Sequence, residues 1–427
     1  MVMTVDEGDA PGHATPRRQP TRRFEARRNA IVRSAIEEIN RKGVRGMTLG
    51  DVAARLDLVP TGVIYYFRNK EELAAAVFLK GLETYEQLIG RAAGHEAGHE
   101  AGQEGGADAG EARLPAFIEA WFEYARAVQE GQADPLPVFN DVRALKSDPV
   151  NDAYIGMFRR FRDLLPGSGA LPRRHRNARA HLLLSQVFWI IAWQNQAAPA
   201  DYPRTAARMA AILARGVIAP GAAWPDPRPL DLARPDPNAS AEMFLRAATG
   251  LINDEGYHGA SVERISARLN VSKGAFYHHN ETKDDLVLAC FERTFETMWR
   301  AIRAAEQAGG SGLEVLVSIV AALVRHQMSG EAPLLRTSAL TAAPEGMQAG
   351  LMQQFHQLSY RFASILCDGI ADGSIAPVDV NVASQIVSSA VNAAADLHFW
   401  TPGLAPDDVV AHYVRPIFEG LTSAPSS

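Results

Sequence analysis

The chain contains 427 residues, with 43 Lys or Arg and 49 Asp or Glu, and its formal net charge is −6. A hydrophobic fraction of 47% and a charged fraction of 22% exclude an intrinsically disordered chain and are typical of a soluble protein with roughly two to four domains. No apolar run reaches the ~18 residues that a membrane span requires.

The sequence also restricts the cellular compartment of the protein and the reactions it could catalyse. The two cysteines, Cys290 and Cys367, cannot form a disulfide framework or a cysteine metal site, which favours a reducing, cytoplasmic location. The N-terminus has no apolar core and so is not a secretory signal. A nucleophile elbow, a metal cluster and a phosphate-binding loop are all missing from the sequence, so we expect neither an enzyme nor a bound cofactor.

Residues 1–23 form a basic arm that we predict to be disordered. The arginines of the arm and of the segment that follows are Arg17, Arg18, Arg22, Arg23, Arg27 and Arg28. Two interpretations are open: the arginines enter a minor groove of DNA, or the arm only solubilises the chain.

Residues 24–80 have the pattern of a helix-turn-helix domain. Ile31, Ala35 and Ile39 lie on one face of a first helix. Gly43 ends this helix, because a residue without Cβ readily adopts the left-handed cap conformation. The hydroxyl of Thr48 is suited to cap a second helix.

A turn then leads to a short third helix over residues 61–67. We expect Phe67 to anchor this helix to the core, and Asn69 to cap the helix that follows. A short exposed helix after a tight turn is the arrangement that places a recognition helix in the major groove of DNA.

Residues 81–218 are predicted to be helical, since their apolar residues recur at intervals of three and four. Within them, the Gly/Ala/Glu-rich tract 94–112 has no apolar face and is predicted to be a flexible loop. The proline-rich segment 219–238 disfavours helix and is predicted to be a linker.

The pattern then repeats. Residues 43–78 align without a gap with residues 256–291, and nine positions are identical at a constant offset of 213. We therefore predict a second helix-turn-helix domain over residues 239–293 and a second helical domain over residues 294–427. An offset of half the chain indicates a duplicated subunit.

Both copies resemble the DNA-binding domain of TetR-family transcriptional regulators. In the first copy the resemblance rests on Gly43, Gly46, Thr48 and the stretches 52–53 and 65–73 (Val-Ala and Tyr-Tyr-Phe-Arg-Asn-Lys-Glu-Glu-Leu). In the second it rests on Gly256, Gly259, Ser261, Ile265 and the stretch 271–278 (Val-Ser-Lys-Gly-Ala-Phe-Tyr-His).

The resemblance implies an all-α protein made of two TetR-like subunits in tandem, which form an intrachain pseudo-dimer. Each subunit would combine a three-helix DNA-binding domain with a helical domain for effector binding and dimerisation. The implied partners are a double-stranded DNA operator and a small hydrophobic effector, with no membrane. Whether two such chains associate further stays open.

The residues expected to contact DNA follow from the two matched motifs. They are Arg28, Thr48, Thr61, Tyr65, Tyr66 and Lys70 in the first copy, and Ser261, Ser272, Lys273, Tyr277, His278 and Lys283 in the second. Thr48 and Ser261 are also helix caps, and Tyr66 and Tyr277 are equally suited to packing. Both roles are open for these residues.

The two copies differ in charge and in one anchor. Residues 17–91 contain 15 Lys and Arg against 9 Asp and Glu, a net charge of +6, whereas residues 238–303 contain 8 against 9, a net charge of −1. The family has Tyr where the first copy has Ile64 and Phe where the second has Asn280. These differences predict a tighter grip on DNA by the first copy.

Each helical domain is expected to hold an effector pocket, which the resemblance implies. The candidate pocket residues are Trp121, Phe158 and Trp189 in the first and Trp299, Phe362 and His398 in the second. For any one of these side chains, packing in the core or at the interface between the halves is the alternative.

The predicted function is a ligand-responsive DNA-binding transcriptional regulator, a repressor, that binds an imperfectly palindromic operator through two unequal helix-turn-helix domains. The alternative is an adaptor or sensor protein in which only the first domain binds DNA and the second is structural.

Overall fold

The computed structural model describes residues 21–99, 108–139, 142, 145–165, 171–232, 239–256, 259–272, 282–330, 333–343, 345–405 and 408–423. Within these ranges the backbone is helical apart from turns, extended connections and one isolated bridge between Ile218 and Ile375. The all-α prediction is confirmed. None of the helices in these ranges combines the length and the apolar character of a membrane span.

The first half of the chain contains eight α-helices among the described residues. They are α1 (Arg22–Gly46), α2 (Leu49–Ala54), α3 (Pro60–Ile64), α4 (Lys70–His99), α5 (Asp108–Gln129), α6 (Asp148–Asp163), α7 (Arg173–Trp193) and α8 (Tyr202–Arg215). Short 3-10 turns, Gln194–Gln196 and Pro199–Asp201, connect α7 to α8.

The second half repeats this order where the structure describes it. Its helices are α9 (Ala239–Glu255), α10 (Val262–Leu269), α11 (Lys283–Ala308), α12 (Gly312–Met328), α13 (Glu345–Asp372), α14 (Val380–Ala393), α15 (Leu397–Trp400) and α16 (Arg415–Glu419). A 3-10 helix spans Thr337–Ala342, another spans Ala394–Asp396, and a π-helical turn spans Val410–Val414.

Two long helices join each helix-turn-helix region to the rest of its half. The domain boundaries predicted at residues 80 and 293 fall inside α4 and α11, which contain 30 and 26 residues. Neither helix contains a proline that would interrupt it. Each helix-turn-helix region therefore shares one continuous helix with the domain behind it.

The flexible loop predicted over residues 94–112 needs correction at both ends. Helix α4 continues to His99 and helix α5 begins at Asp108, which leaves only residues 100–107 outside the described part. Ala and Glu are strong helix formers, and an isolated Gly costs a helix only about 1 kcal/mol, so the absence of an apolar face did not stop either helix.

The two halves pack against each other along α7 and α14. Gln186 Nε2 donates to the Ile386 carbonyl at 3.1 Å, and Trp189 Nε1 donates to Gln385 Oε1 at 3.0 Å. His181 Nε2 lies 2.9 Å from the Ala393 carbonyl oxygen. A buried apolar surface crossed by these polar contacts thus joins parts of the chain that are about 200 residues apart.

Gly216 and Gly420 occupy matched places at the ends of the two halves, and each lies against the backbone of the other half. Their φ angles are 75° and 94°. A Cβ on Gly216 would lie 1.9 Å from the Phe418 carbonyl oxygen, and one on Gly420 would lie 2.2 Å from the Ala214 carbonyl oxygen. Only glycine permits this approach at both positions.

Residues 219–232, the described part of the predicted linker, form an extended strap along the second half. The Arg228 backbone amide donates to Ser318 Oγ at 3.0 Å, and Arg300 donates to the Leu232 carbonyl at 3.1 Å. The Trp224 ring packs against Phe418, with Arg415 above it. The strap is non-helical, as its prolines predict, but its contacts fix it in place.

Candidate functional site

The first helix-turn-helix region, called here the first head (residues 24–80), is built on the caps that the sequence predicts. Gly43 adopts φ 70° and ψ 170° and ends the straight part of α1. Thr48 Oγ1 accepts from the Asp51 amide at 3.0 Å, and Asn69 Oδ1 accepts from the Glu72 amide at 2.8 Å. These three predictions are confirmed.

Phe67 anchors the recognition segment as expected, but α3 ends at Ile64, three residues before the predicted end of the helix at Phe67. Its side chain is 1% exposed, and the Arg28 guanidinium lies 5.0 Å above its ring. Phe24 packs on Tyr66 with ring centroids 4.8 Å apart. The start of α1 therefore braces the turn that follows α3, and Arg28 reaches this turn through a cation–π contact that the sequence did not predict.

Helix α3 presents a solvent-exposed face. Tyr65 is 75% exposed, Ile64 is 46% exposed, and Thr61 is exposed on the same helix, whereas Val63 is fully buried against the core. A hydroxyl, a phenol and an apolar side chain on one exposed helical face are suited to the edges of bases and to phosphates in a major groove.

Lys70 and Thr48 have structural partners in the first head. Lys70 Nζ donates to the Arg45 carbonyl at 2.7 Å, and burial lowers the pKa of this amine. Thr48 Oγ1 is occupied as a helix cap. Contact of either residue with DNA stays a prediction.

A buried carboxylate ties α1 to α2. Glu38 is 1% exposed and accepts from Arg41 at 2.9 Å and from Arg55 at 3.4 Å, while Lys42 lies 3.2 Å away. Lys42 also binds Asp51 at 2.9 Å, which raises the pKa of Lys42 and lowers that of Asp51. Only the folded structure reveals this cluster, because the sequence gives no sign that Glu38 is buried.

The second helix-turn-helix region, the second head (residues 239–293), repeats the frame where it is described. Gly256 has φ 73°, Ser261 Oγ accepts from the Arg264 amide at 3.3 Å, and Thr282 forms a capping box with Asp285. Ser272 is exposed, and burial lowers the pKa of Lys283. The predicted DNA contacts Lys273, Tyr277 and His278 lie outside the described residues, as do Asn280 and the arm residues Arg17 and Arg18.

A cavity of about 770 Å³ lies between the two halves, with walls from both. The first half contributes Phe139, Tyr154 and residues of α7, and the second contributes residues of α13, α14 and α15. The expectation was one pocket inside each half. This cavity is instead shared, because residues of both halves line it.

Two of the six predicted pocket residues, Trp189 and His398, line the cavity. The other four lie elsewhere. Trp121 packs against Phe122 in the core of the first half, Phe362 is fully buried in the core of the second, and Trp299 is partly buried. Phe158 stacks behind the wall on Trp400, with ring centroids 3.7 Å apart.

Two matched asparagines connect the cavity to the heads. Asn40, on α1, donates to the Leu136 carbonyl at 2.9 Å and accepts from the Val138 amide at 2.8 Å. Asn253, on α9, donates to the Leu334 carbonyl at 2.9 Å and accepts from the Arg336 amide at 3.0 Å.

Both asparagines line the cavity, and they are separated by 213 residues, the offset of the repeat. We call them the asparagine clamps. The sequence repeat could have revealed them, since they extend it three positions towards the N-terminus.

Comparison with known proteins agrees with the two heads. The family described as "Bacterial regulatory proteins, tetR family" matches residues 31–77 and 244–290. The chain is 44% identical over 55 residues to the "Uncharacterized HTH-type transcriptional regulator YwcC" of Bacillus subtilis (strain 168), which covers 13% of this chain and 25% of that protein. It is 26% identical over 137 residues to the "HTH-type transcriptional repressor DhaR" of Mycobacterium sp. (strain GP1), which covers 31% of this chain and 69% of DhaR.

A third relative, the "Transposon Tn10 TetC protein" of Escherichia coli, is 36% identical over 52 residues, or 12% of this chain. The chain spans about a quarter of the length of the TetC and YwcC proteins, 26% and 25%. Among solved structures, a bacterial regulatory protein in the tetR family from Rhodococcus RHA1 is 23% identical, with a TM-score of 0.37 over 44% of this chain and 100% of its own.

Proposed function

Since this chain is a tandem member of the tetR family of DNA-binding transcriptional regulators, we propose that it acts as a ligand-responsive repressor whose two heads bind one imperfectly palindromic operator. The observation that carries this proposal is the exposed recognition helix α3, fixed from behind by Phe67 and braced by α1. The intrachain contact between α7 and α14 would take the place of the contact between two subunits.

The unequal charge of the heads supports an unequal grip. The first head and its arm carry a net charge of +6 over residues 17–91, against −1 over residues 238–303. Release of counterions from DNA favours the basic head, so one half of the operator would be bound more tightly than the other.

The asparagine clamps support a route from ligand to DNA. A ligand in the cavity would touch segments 136–138 and 334–336, which Asn40 and Asn253 hold against α1 and α9. A ligand that fits only one arrangement of these segments would bias the positions of the heads, and its effect is limited to its difference in affinity for the two arrangements. An effector that favours the arrangement with lower DNA affinity would release the operator.

The test begins with selection of binding sites from a random DNA library, followed by footprinting on the selected duplex. We expect protection of two half-sites of unequal sequence. Tyr65→Ala should lower the affinity about tenfold, consistent with the loss of one good contact to DNA. The matched control is Tyr360→Ala, since Tyr360 is 70% exposed on α13, outside both heads; it should leave the affinity unchanged.

The alternative, in which the second head is structural and the protein is an adaptor or sensor, rests on the −1 charge and on Asn280. Ala substitutions at Lys273 and Tyr277 separate the two. A drop in operator affinity supports two reading heads, while unchanged affinity and a footprint of a single half-site support the alternative. A protein that selects no DNA sequence at all would contradict both.

A further inference from the structure

Only a few charged side chains line the cavity between the halves, and one of them is a guanidinium. Arg336 is the one Lys or Arg among the described residues that line it, and Asp396 and Asp254 also line it. Arg336 Nη2 donates to Asp396 Oδ1 at 2.7 Å, and both side chains are largely buried, 13% and 25% exposed. Asp254 lies 3.8 Å from Arg268 at an exposed position. The Lys, Arg, Asp and Glu side chains that line the cavity are thus one cation and two anions, and each has a partner of opposite charge. Three histidines, His181, His356 and His398, line it as well.

An anionic ligand would be disfavoured in this setting. A carboxylate or phosphate that contacts the Arg336 guanidinium would compete with Asp396 for it, and removing one partner of a buried pair leaves an uncompensated charge. It would also lie near two carboxylates, which repel it. A neutral or positively charged ligand meets neither obstacle.

The cavity walls are rich in flat aromatic surfaces. Phe139 and Phe188 are stacked at 5.1 Å and 9°, and the Tyr154 ring lies 5.8 Å from Trp400. Trp189 completes this wall from α7. Such surfaces favour a planar aromatic ligand, and they also attract cations through the faces of their rings.

Two buried polar atoms of residues that line the cavity, Ser389 Oγ and Arg336 Nε, make no hydrogen bond within the described structure. Ser389 is 1% exposed, lines the cavity, and its Oγ makes no hydrogen bond. A buried polar atom that lacks a hydrogen bond costs about 1–3 kcal/mol, so a ligand whose hydrogen-bonding group displaces the atoms that cover Ser389 Oγ or Arg336 Nε gains affinity there.

We propose that the Arg336–Asp396 pair excludes anions and that the cavity binds a planar aromatic molecule that is uncharged or positively charged and carries a hydrogen-bonding group. One such molecule binds per chain, because both halves build the one cavity. The inference rests on the proposed function for the effect of the ligand on DNA, but the binding itself requires no DNA.

The first experiment uses three probes that share a naphthalene ring and differ in charge: 2-naphthylmethylamine, 2-naphthalenemethanol and 2-naphthoate. Binding to the full-length chain without DNA is measured by thermal shift and by quenching of tryptophan fluorescence. The amine and the alcohol should bind with 1:1 stoichiometry, at least tenfold more tightly than naphthoate. Equal or tighter binding of naphthoate, or no binding of any probe, would overturn the proposal.

The second experiment aims to reverse the preference of the cavity for the amine over naphthoate. Asp396→Asn leaves the Arg336 guanidinium without its carboxylate, so naphthoate should gain at least tenfold in affinity and the amine should weaken. The control is Glu306→Gln, which removes the carboxylate 2.7 Å from Arg361 at an ion pair outside the cavity wall; it should leave the order of the probes unchanged.

Circular dichroism and the melting temperature without ligand establish that each variant folds. If Asp396→Asn does not fold, Arg336→Gln removes the guanidinium instead, and the amine should then bind more tightly while naphthoate stays excluded. Unchanged selectivity in a folded variant contradicts the inference. Operator release is measured separately, so probes that bind with the stated selectivity but leave DNA affinity unchanged would contradict the proposed function and not the ligand class.

Discussion

The first head and the second head have the same backbone frame and different surfaces. Gly43 and Gly256 have φ angles of 70° and 73°, and Asp57 and Asn270, in the turns after α2 and α10, have 52° and 55°. In contrast, the buried Glu38 cluster of the first head has no equivalent at the matched position, which is Leu251, and the net charges differ by seven, from +6 to −1. The difference teaches that the backbone conformation of the two heads is the same where both are described, while their charge has diverged.

The largest expected effect acts on both heads together, through the contact between the halves. Gly216→Ala would place a methyl group against the Phe418 carbonyl at a positive φ, so we expect a loss of about 5 kcal/mol or more in the free energy of unfolding, from backbone strain and overpacking together. Gly221→Ala is the matched control, because Gly221 also has positive φ but open space around it; about 1 kcal/mol is expected. Equal losses in denaturant unfolding would show that the close approach does not matter.

A second change makes the first head resemble the second. Phe67→Asn introduces the residue found at the matched position, Asn280, and removes a buried ring, so we expect to destabilise the head by about 3–5 kcal/mol. Operator affinity should fall by more than tenfold, measured by fluorescence anisotropy. Tyr360→Asn controls for replacement of an exposed aromatic residue and should change neither quantity; a Phe67→Asn variant that binds normally would show that the anchor is dispensable.

A third pair of changes separates the two routes from cavity to DNA. Asn40→Ala and Asn253→Ala each break one asparagine clamp and leave buried backbone groups unpaired, which costs about 1–3 kcal/mol. We expect each variant to retain binding of the naphthalene probes. The drop in operator affinity that probe binding causes should become smaller. If the first head dominates DNA binding, Asn40→Ala should reduce this response more. Identical responses in both variants would argue against unequal heads.

The smallest expected effect comes from pH and should not distinguish the heads, since it acts where the halves meet. His175 and His412 stack with ring centroids 3.5 Å apart, and burial, mutual repulsion and the nearby Arg174 and Arg179 lower the pKa of His175; burial and Arg174 likewise lower that of His412. Asp408 opposes both shifts.

The unfolded chain therefore takes up protons at a higher pH than the folded chain does. As the pH drops through the ordinary histidine pKa of about 6.5 towards the lower pKa of the folded state, the free energy of unfolding decreases. We expect the melting temperature to decrease by a few degrees between pH 7.5 and 6. His412→Gln should make this decrease smaller. A variant with an unchanged pH profile would exclude the pair as its source.

Sequence alone predicted the features that depend on neighbours in the chain. The cap at Thr48, the break at Gly43 and the anchor Phe67 follow from local geometry and from a hydrophobic pattern. The cavity does not, because its walls bring together residues from opposite halves. Trp121 and Trp189 both lie on apolar helical stripes, yet only Trp189 reaches the other half, where it meets Gln385, 196 residues away. The ion pair between Arg336 and Asp396 could not be predicted from the sequence either, because the two residues are 60 positions apart in the chain.

The strap of residues 219–232 has a consequence for how the halves behave at low abundance. In a protein assembled from separate subunits, dilution dissociates the pair, and the fraction that is paired depends on concentration. Here a short covalent tether holds each half within reach of the other, so their encounter is intramolecular at every concentration. The stoichiometry of unlike halves is also fixed at one to one, so a cell with only a few copies of the chain would keep them all in the paired form.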